Sequence, residues 1–523
     1  MENHLVFWLL AAAPIILFLI VMLVFKWGGS RAGAFAWLVT TAIAWLFFGA
    51  DLTLIGYTYV KGFLLALDVL LIIWTAMFFF LLMEKAGAIQ TIGAWLSALT
   101  SNRASQGILI GWLFPSFLQG IGGFGVPVAV SAPLLVSSGF SPVRAIVMAS
   151  VGHAWGITFG SMASSFQALI AVSGLPGPLL APASAFLLGT AALACGVLVC
   201  FIADGWQGVR SILPHTLLLG GILGAGQYLL AANRLWIISV TVPALASLVI
   251  GLFLLRKNHR HALGHGKAKP EDGRLYLALI PYGFLVIVTL AVNLIRPLNH
   301  FLNQYAFTLN FPEITTRLGD ITPAGPGRDI RFLTHPAAMI AFSALASYFL
   351  FTRSGLLEKK DFWKTMRLTA IKSTDTSVAI FTMVGIATIM SHTRMTITLA
   401  EGIAAAFGNE LFPLSSPFIG ALGAFITGNN TNSNVLLASI QMRSAELLGL
   451  SVPLILAAQT AGGAIGSMMA PAKIILACAT VGLENQEGMV ISRILIFGLV
   501  LIGMMSLLTL LLSRFGFFYA QIR

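Results

Sequence analysis

The chain has 523 residues, 58% of them hydrophobic and 9% charged, with a mean hydropathy of +0.92 and a formal net charge of +12. Soluble globular chains carry about 25% charged residues, so this composition excludes a soluble enzyme, a nucleic-acid-binding domain and a disordered protein. It leaves a polytopic membrane protein. The basic excess is a topology signal, because residues 256–274 and 353–372 hold six Lys and Arg each of the 30 in the chain, as cytoplasmic loops do.

Taken in chain order, apolar runs long enough to span fall near 5–25, 32–50, 61–83, 143–172, 183–203, 212–232, 235–255, 275–296, 334–352, 373–391, 453–478 and 489–512. A span needs about 20 apolar residues. The expected fold is therefore an all-α polytopic membrane protein of about 12 transmembrane helices in a single domain, 1–523. The first run is too long for a signal-peptide core and is expected to be retained. Cys195, Cys200 and Cys478 lie in apolar runs without disulfide or metal-ligand spacing and read as small core residues.

Two further apolar stretches, near 107–138 and 411–447, are interrupted at their middles by glycine-rich and polar sequence. Each half is too short to cross about 30 Å, which predicts two re-entrant hairpins. If both basic segments are cytoplasmic, the loop at 299–334 lies outside. The first hairpin then enters from the cytoplasm and the second from the outside. Residues 60–172 and 367–482 also repeat one order: helix, amphipathic connector, hairpin, Gly-rich long helix. Gly160-Ser161-Met162 and Gly466-Ser467-Met468 lie 306 apart, and Asp68 and Asp375 lie 307 apart. An inverted repeat with broken helices is the architecture of many secondary transporters, with the substrate site near the midplane.

The first tip reads Gln119-Gly120-Ile121-Gly122-Gly123-Phe124-Gly125-Val126-Pro127. Its glycines permit close backbone approach, and the half-helix after it offers free N–H groups suited to an anion. A packing seam is the bland alternative. The second tip, Thr427-Gly428-Asn429-Asn430-Thr431-Asn432-Ser433-Asn434, is polar at membrane depth. Its amides and hydroxyls can hold a carboxylate, a hydroxyl or a small cation. An external loop is the alternative. Expected substrate-binding residues are Gln119, Gly120, Gly122, Gly123, Gly125, His153, Asn430, Thr431, Ser433, Asn434, Gly463 and Lys473. His153 and Gly463 belong to weak helix centres at 152–160 and 460–466, where unwound backbone is expected. Lys473 can equally snorkel to the interface. Asp68 and Asp375 are intramembrane acids and candidates for coupling. No metal site, cofactor or catalytic set is expected, HExxH and GxSxG patterns being absent. A channel is the competing class, against which paired hairpins argue.

At these hairpins the sequence resembles the lactate permease family. The resemblance is carried by 117–129, by 425–434, by Gly462-Gly463-Ala464-Ile465-Gly466 through Pro471, by 477–483 and by Asp204-Gly205-Trp206-Gln207-Gly208. It covers essentially the whole chain. It implies a symporter of L-lactate, glycolate and related 2-hydroxy monocarboxylates in the bacterial inner membrane. It also implies kinship with the ion transporter superfamily, whose members use paired hairpins and often an elevator motion. The implied partners are a small organic anion and the lipid bilayer, with a homodimer as one option and no nucleic acid. The coupling ion is H+ by family default, with Na+ as the alternative. In the family pattern Glu stands at Gln119 and Asp at Asn430. An amide keeps the hydrogen bonds of a carboxylate but carries no proton.

Overall fold

The structure is a computed structural model that describes residues 2–97, 102–123, 125–255, 272–483 and 486–519. The basic segment at 256–274 lies largely outside the described residues, as do Phe124 and Arg523. Apolar runs fold as helices because a helix satisfies its own backbone in lipid. The first half contains α1 (Glu2–Leu23), α2 (Gly29–Phe47), α3 (Leu52–Lys85), α4 (Ala88–Ser97) and α5 (Arg103–Gln106). A π-helical stretch, Gly107–Leu113, leads into α6 (Phe114–Ile121), followed by α7 (Val126–Ser137), α8 (Pro142–His153), α9 (Gly160–Ser173), α10 (Gly177–Ala232) and α11 (Thr241–Leu255). Next come α12 (Asp272–Leu294), α13 (Arg296–Asn303), a six-strand external excursion, α14 (Pro336–Arg353), α15 (Lys359–His392) and α16 (Met395–Thr427). The chain ends with α17 (Asn430–Leu447), α18 (Val452–Met468), α19 (Pro471–Thr480) and α20 (Glu487–Arg514).

Eleven of the described helices are long and apolar enough to cross a bilayer, and twelve if the bent pair Pro142–Gly156 and Gly160–Ser173 forms one span. Two long helices contain internal breaks at the expected boundaries. α10 is continuous on paper but folds back on itself after Asp204 and Gly205 (φ +62°). A Cβ on Gly189 would touch Gly224 backbone at 3.1 Å, and Cys200 Sγ meets Thr216 Oγ1 at 3.4 Å, so its halves are the two antiparallel spans expected. α16 is interrupted at Gly408 (φ +61°, ψ −178°). Its first part is the connector and its second part the first arm of the second hairpin.

α3 and α15 pack antiparallel along their length. Lys61 Nζ lies 3.1 Å from His392 Nε2, Trp74 Nε1 donates to Ser377 Oγ at 2.9 Å, and Lys85 Nζ pairs with Asp361 Oδ1 at 3.0 Å. The first hairpin (α6 and α7) follows the Lys85 end of this pair and the second (late α16 and α17) follows the His392 end. They therefore start from opposite ends of one helix pair. Beyond the end of α13, antiparallel ladders join Ala306–Phe307 to Ile330–Arg331, Asn310–Phe311 to Gly325–Pro326, and Ile314–Thr315 to Ile321–Thr322. This long hairpin lies on α3, Phe311 stacking on Tyr57 at 5.0 Å between centroids.

Candidate substrate site

Both hairpin tips converge on one break. α8 ends at His153, a 3-10 turn spans Ala154–Gly156, and α9 begins at Gly160 with a bend of 50°. Ser161, Met162 and Ala163 are all left-handed, with φ of 47°, 55° and 63°. Residues other than glycine in that region cost on the order of 1–3 kcal/mol each and persist only when their surroundings dictate them. All three are buried. The first tip supplies part of that surrounding: a Cβ on Gly160 would lie 2.6 Å from Gln119 Nε2, and one on Gly123 would lie 2.2 Å from Ser161 Oγ.

The glycines of the first tip divide by role. Gly120 and Gly122 are packing positions, where a Cβ would come within 2.5 Å of Thr241 Oγ1 and 2.9 Å of the Phe80 ring. Gly123 faces the break. Gly125 takes φ +91° to start α7 and lies against Leu476 and the Lys473 stem. Lys473 does not simply snorkel: it packs at this tip and donates to Ser467 Oγ. Gln119 is 3% exposed, and its amide makes no hydrogen bond among the described residues. His153 Nδ1 bonds Ala149 O at 2.7 Å while Nε2 is buried and unpaired.

The second tip meets the same break from α17. Asn430 Nδ2 donates to Thr158 Oγ1 at 3.0 Å and Thr460 O at 3.2 Å, and Thr431 Oγ1 meets Ser165 Oγ at 2.9 Å. Asn434 Nδ2 donates to Ser165 O and to Thr460 Oγ1, both at 2.9 Å. Asn432 Nδ2 donates to Thr427 O at 3.3 Å. A backbone carbonyl can only accept, so it fixes which end of each amide is nitrogen. The consequence is three unpartnered carbonyls: Oδ1 of Asn430, Asn432 and Asn434 is buried without a donor in each case. Beside Asn430 Oδ1 lies the bare face of Gly463, where a Cβ would sit 2.1 Å from that oxygen and 3.5 Å from Gly420 O.

Of the expected site residues, Ser433 and Asp68 are already bonded and Asp375 lies at the surface. Ser433 Oγ bonds Gly420 O at 2.7 Å and receives Gln459 Nε2 at 3.1 Å, so it braces the arms of its own hairpin. Asp375 is exposed on α15 without a partner among the described residues. Asp68 is 1% exposed but occupied: Arg328 Nε and Nη2 each reach Oδ2 at 3.0 Å, and His335 Nε2 reaches Oδ1 at 2.9 Å. Gln167 of α9 is the fourth member, at 3.5 Å. The expected unwinding at 460–466 is also absent, since α18 is helical through Met468 and the break falls at Ala470 before Pro471.

Sequence reasoning missed Thr158, Thr460 and Ser165, the partners of the second tip. Thr158 and Thr460 lie 302 apart in the two Gly-rich centres, a spacing close to the repeat offset that could have pointed to them. Arg328 gave no such signal, because it stands in an external loop 260 residues from Asp68.

A family model for L-lactate permease matches residues 8–516. The chain belongs to the L-lactate permease family. The L-lactate permease of Salmonella typhimurium is 27% identical over 92% of this chain and 91% of its own length. The glycolate permease GlcA of Escherichia coli is 27% identical over 96% and 95%. Among solved structures, the YdaH transporter of Alcanivorax borkumensis aligns with a TM-score of 0.50 at 16% identity, covering 89% of this chain and 88% of that one. At that identity the likeness concerns the fold. This family member is thus a multi-pass membrane protein with a transporter fold, and its tips carry Gln119 and Asn430.

Proposed function

We propose that the chain is a secondary active carrier of a small 2-hydroxy monocarboxylate, such as lactate or glycolate, in the bacterial inner membrane. One observation carries this: two hairpins starting from opposite ends of the α3/α15 pair bring their tips to a single buried break at 154–163. Repeats 60–172 and 367–482 then form the moving hairpin body, and an elevator motion exposes the break to each side in turn. The carboxylate is held from the first tip, by the Gln119 amide, the amino-terminal N–H groups of α7 and Lys473. The names of the curated permeases support the substrate class. Counterflow in proteoliposomes tests it: internal unlabelled lactate or glycolate must drive accumulation of external tracer, and no exchange with any 2-hydroxy acid would end the reading.

Symport with protons is what the family resemblance implies. A specific observation favours sodium as a second reading. Gln119 and Asn430 carry no titratable proton, and the Asp68 carboxylate is already bound by Arg328 and His335. The second tip instead presents carbonyl oxygens, the ligand type of hard cations. Uptake driven by a sodium gradient at equal pH, compared with a pH gradient without sodium, separates the two.

A further inference from the structure

On the side of the basic loops, a cleft of about 530 Å³ opens between the end of α3 and the first turns of α15. Its rim carries Lys85, Lys364 and Arg367 against one acid, Glu84. Asp361, nearby, is neutralised by Lys85 at 3.0 Å and approached by Lys364 at 3.9 Å. Arg367 is exposed and has no ion pair or hydrogen bond among the described residues. Thr365 also lines the cleft; it is 2% exposed, and its hydroxyl has no hydrogen-bond partner.

The lower wall is aliphatic. Ile371 is 63% exposed and Leu368 41% exposed on α15, and Leu81 of α3 completes this wall. Trp363, 72% exposed, stands one turn before the rim, as tryptophans do at a membrane interface. The positive-inside rule explains exposed lysines here. It does not explain an unpaired arginine beside an unsatisfied buried hydroxyl above an apolar wall. Charge above and hydrocarbon below is the complement of one molecule class, and the cytoplasmic leaflet is where its anionic members reside.

We propose that this cleft binds an anionic phospholipid, its phosphate held by Arg367, Lys364 and the Thr365 hydroxyl and an acyl chain laid on Leu368 and Ile371. The site is independent of the transport reading, so either stands without the other. Native mass spectrometry of the purified full chain in detergent tests it, with phosphatidylglycerol, phosphatidylcholine and inorganic phosphate as probes. Wild type is expected to retain one phosphatidylglycerol at least tenfold more tightly than phosphatidylcholine. Each basic side chain near the surface contributes about 1 kcal/mol, or about fivefold, so Lys364→Ala with Arg367→Ala should weaken retention about 25-fold. Both residues are exposed, and the fold should persist. Thr365→Val, nearly isosteric, should lower retention without unfolding. Lys360→Ala, whose partner is Glu358, should change nothing. Equal retention of phosphatidylcholine, undiminished retention by the double variant, or displacement of the lipid by inorganic phosphate at equal concentration would each overturn the proposal.

Discussion

The two long helices that follow the hairpins, 142–173 and 452–480, have similar glycine-rich centres and use them in opposite ways. In the first, the glycines flank a true break, and residues other than glycine carry the strained left-handed turn at 161–163. In the second, the glycines are a seam in an intact helix: a Cβ on Gly462 would lie 1.9 Å from Pro417 O, and one on Gly466 would lie 2.2 Å from Ala421 O. The same composition thus accompanies a sharp bend once and an unbroken helix once. Both centres meet a tip and the backbone of an arm: a Cβ on Gly152 would lie 2.0 Å from Gly111 O, and one on Gly463 would lie 2.1 Å from Asn430 Oδ1. What sets the first apart is the left-handed run at 161–163.

The contrast breaks most sharply at the seam. Gly462→Ala must push α18 off the arm of α16, because the atom it meets is backbone and cannot rotate away. Overpacking of this kind costs about 1–3 kcal/mol and sometimes more, and this site should lie at the upper end. The expected result is a clearly lower melting temperature of the purified protein with loss of transport. A variant melting like wild type would mean that the seam is loose.

Asp68 and Asp375 sharpen the comparison of the two halves. Removing one member of a buried ion pair costs about 3–5 kcal/mol, a figure reduced here because the Arg328 side chain is 23% exposed. About 2 kcal/mol is expected for Asp68→Asn, and close to none for the exposed Asp375→Asn. A double-mutant cycle of Asp68→Asn with Arg328→Gln should show strong coupling. Additive melting shifts would show the ion pair to be incidental. If Asp68 also couples transport, Asp68→Asn will exchange substrate but fail to accumulate it.

Next in size are the orphan carbonyls. Asn434→Ala removes one acceptor and two donated bonds, and a hydrogen bond to a charged group is worth about 1.5–3 kcal/mol. A ten- to hundredfold rise in the half-saturating sodium concentration is expected, read by sodium-dependent uptake or by thermal shift in sodium against choline. An unchanged value in both assays would return Asn434 to packing.

The span pattern, both hairpins and their polar tips were legible in the sequence because membrane solvation writes them directly: apolar length marks spans, and interruption marks depth. The pairing within the site was less legible. Ser433 looked like a ligand and braces a hairpin, because polarity shows that a partner is needed but not which one. Arg328 was invisible because a charged residue in an external loop is ordinarily solvated, and only the course of the β-ladder carries it to Asp68. The misplaced second break has a similar cause. Glycine lowers helix propensity, yet tight packing on Pro417 and Ala421 outweighs about 1 kcal/mol per residue.

The smallest effect is the most discriminating, because it should reverse sign between the two centres. Gly462→Ala in the second is expected to damage the protein. Ala163→Gly in the first relieves a left-handed alanine, a gain of about 1–2 kcal/mol, offset by the 0.5–1 kcal/mol that glycine's freedom in the unfolded chain takes back. Ala163 is buried, and the methyl group lost is small. The net change should lie between zero and about 1 kcal/mol in favour of the variant. Its melting temperature should stay level or rise slightly. Function should move the other way: if the strained turn holds the break in shape for the two tips, a more pliable backbone there should weaken substrate affinity while the fold holds. A variant that melts well below wild type would show that the left-handed turn carries no strain. One that is stable and binds as tightly as wild type would show that the turn's rigidity does not serve the site.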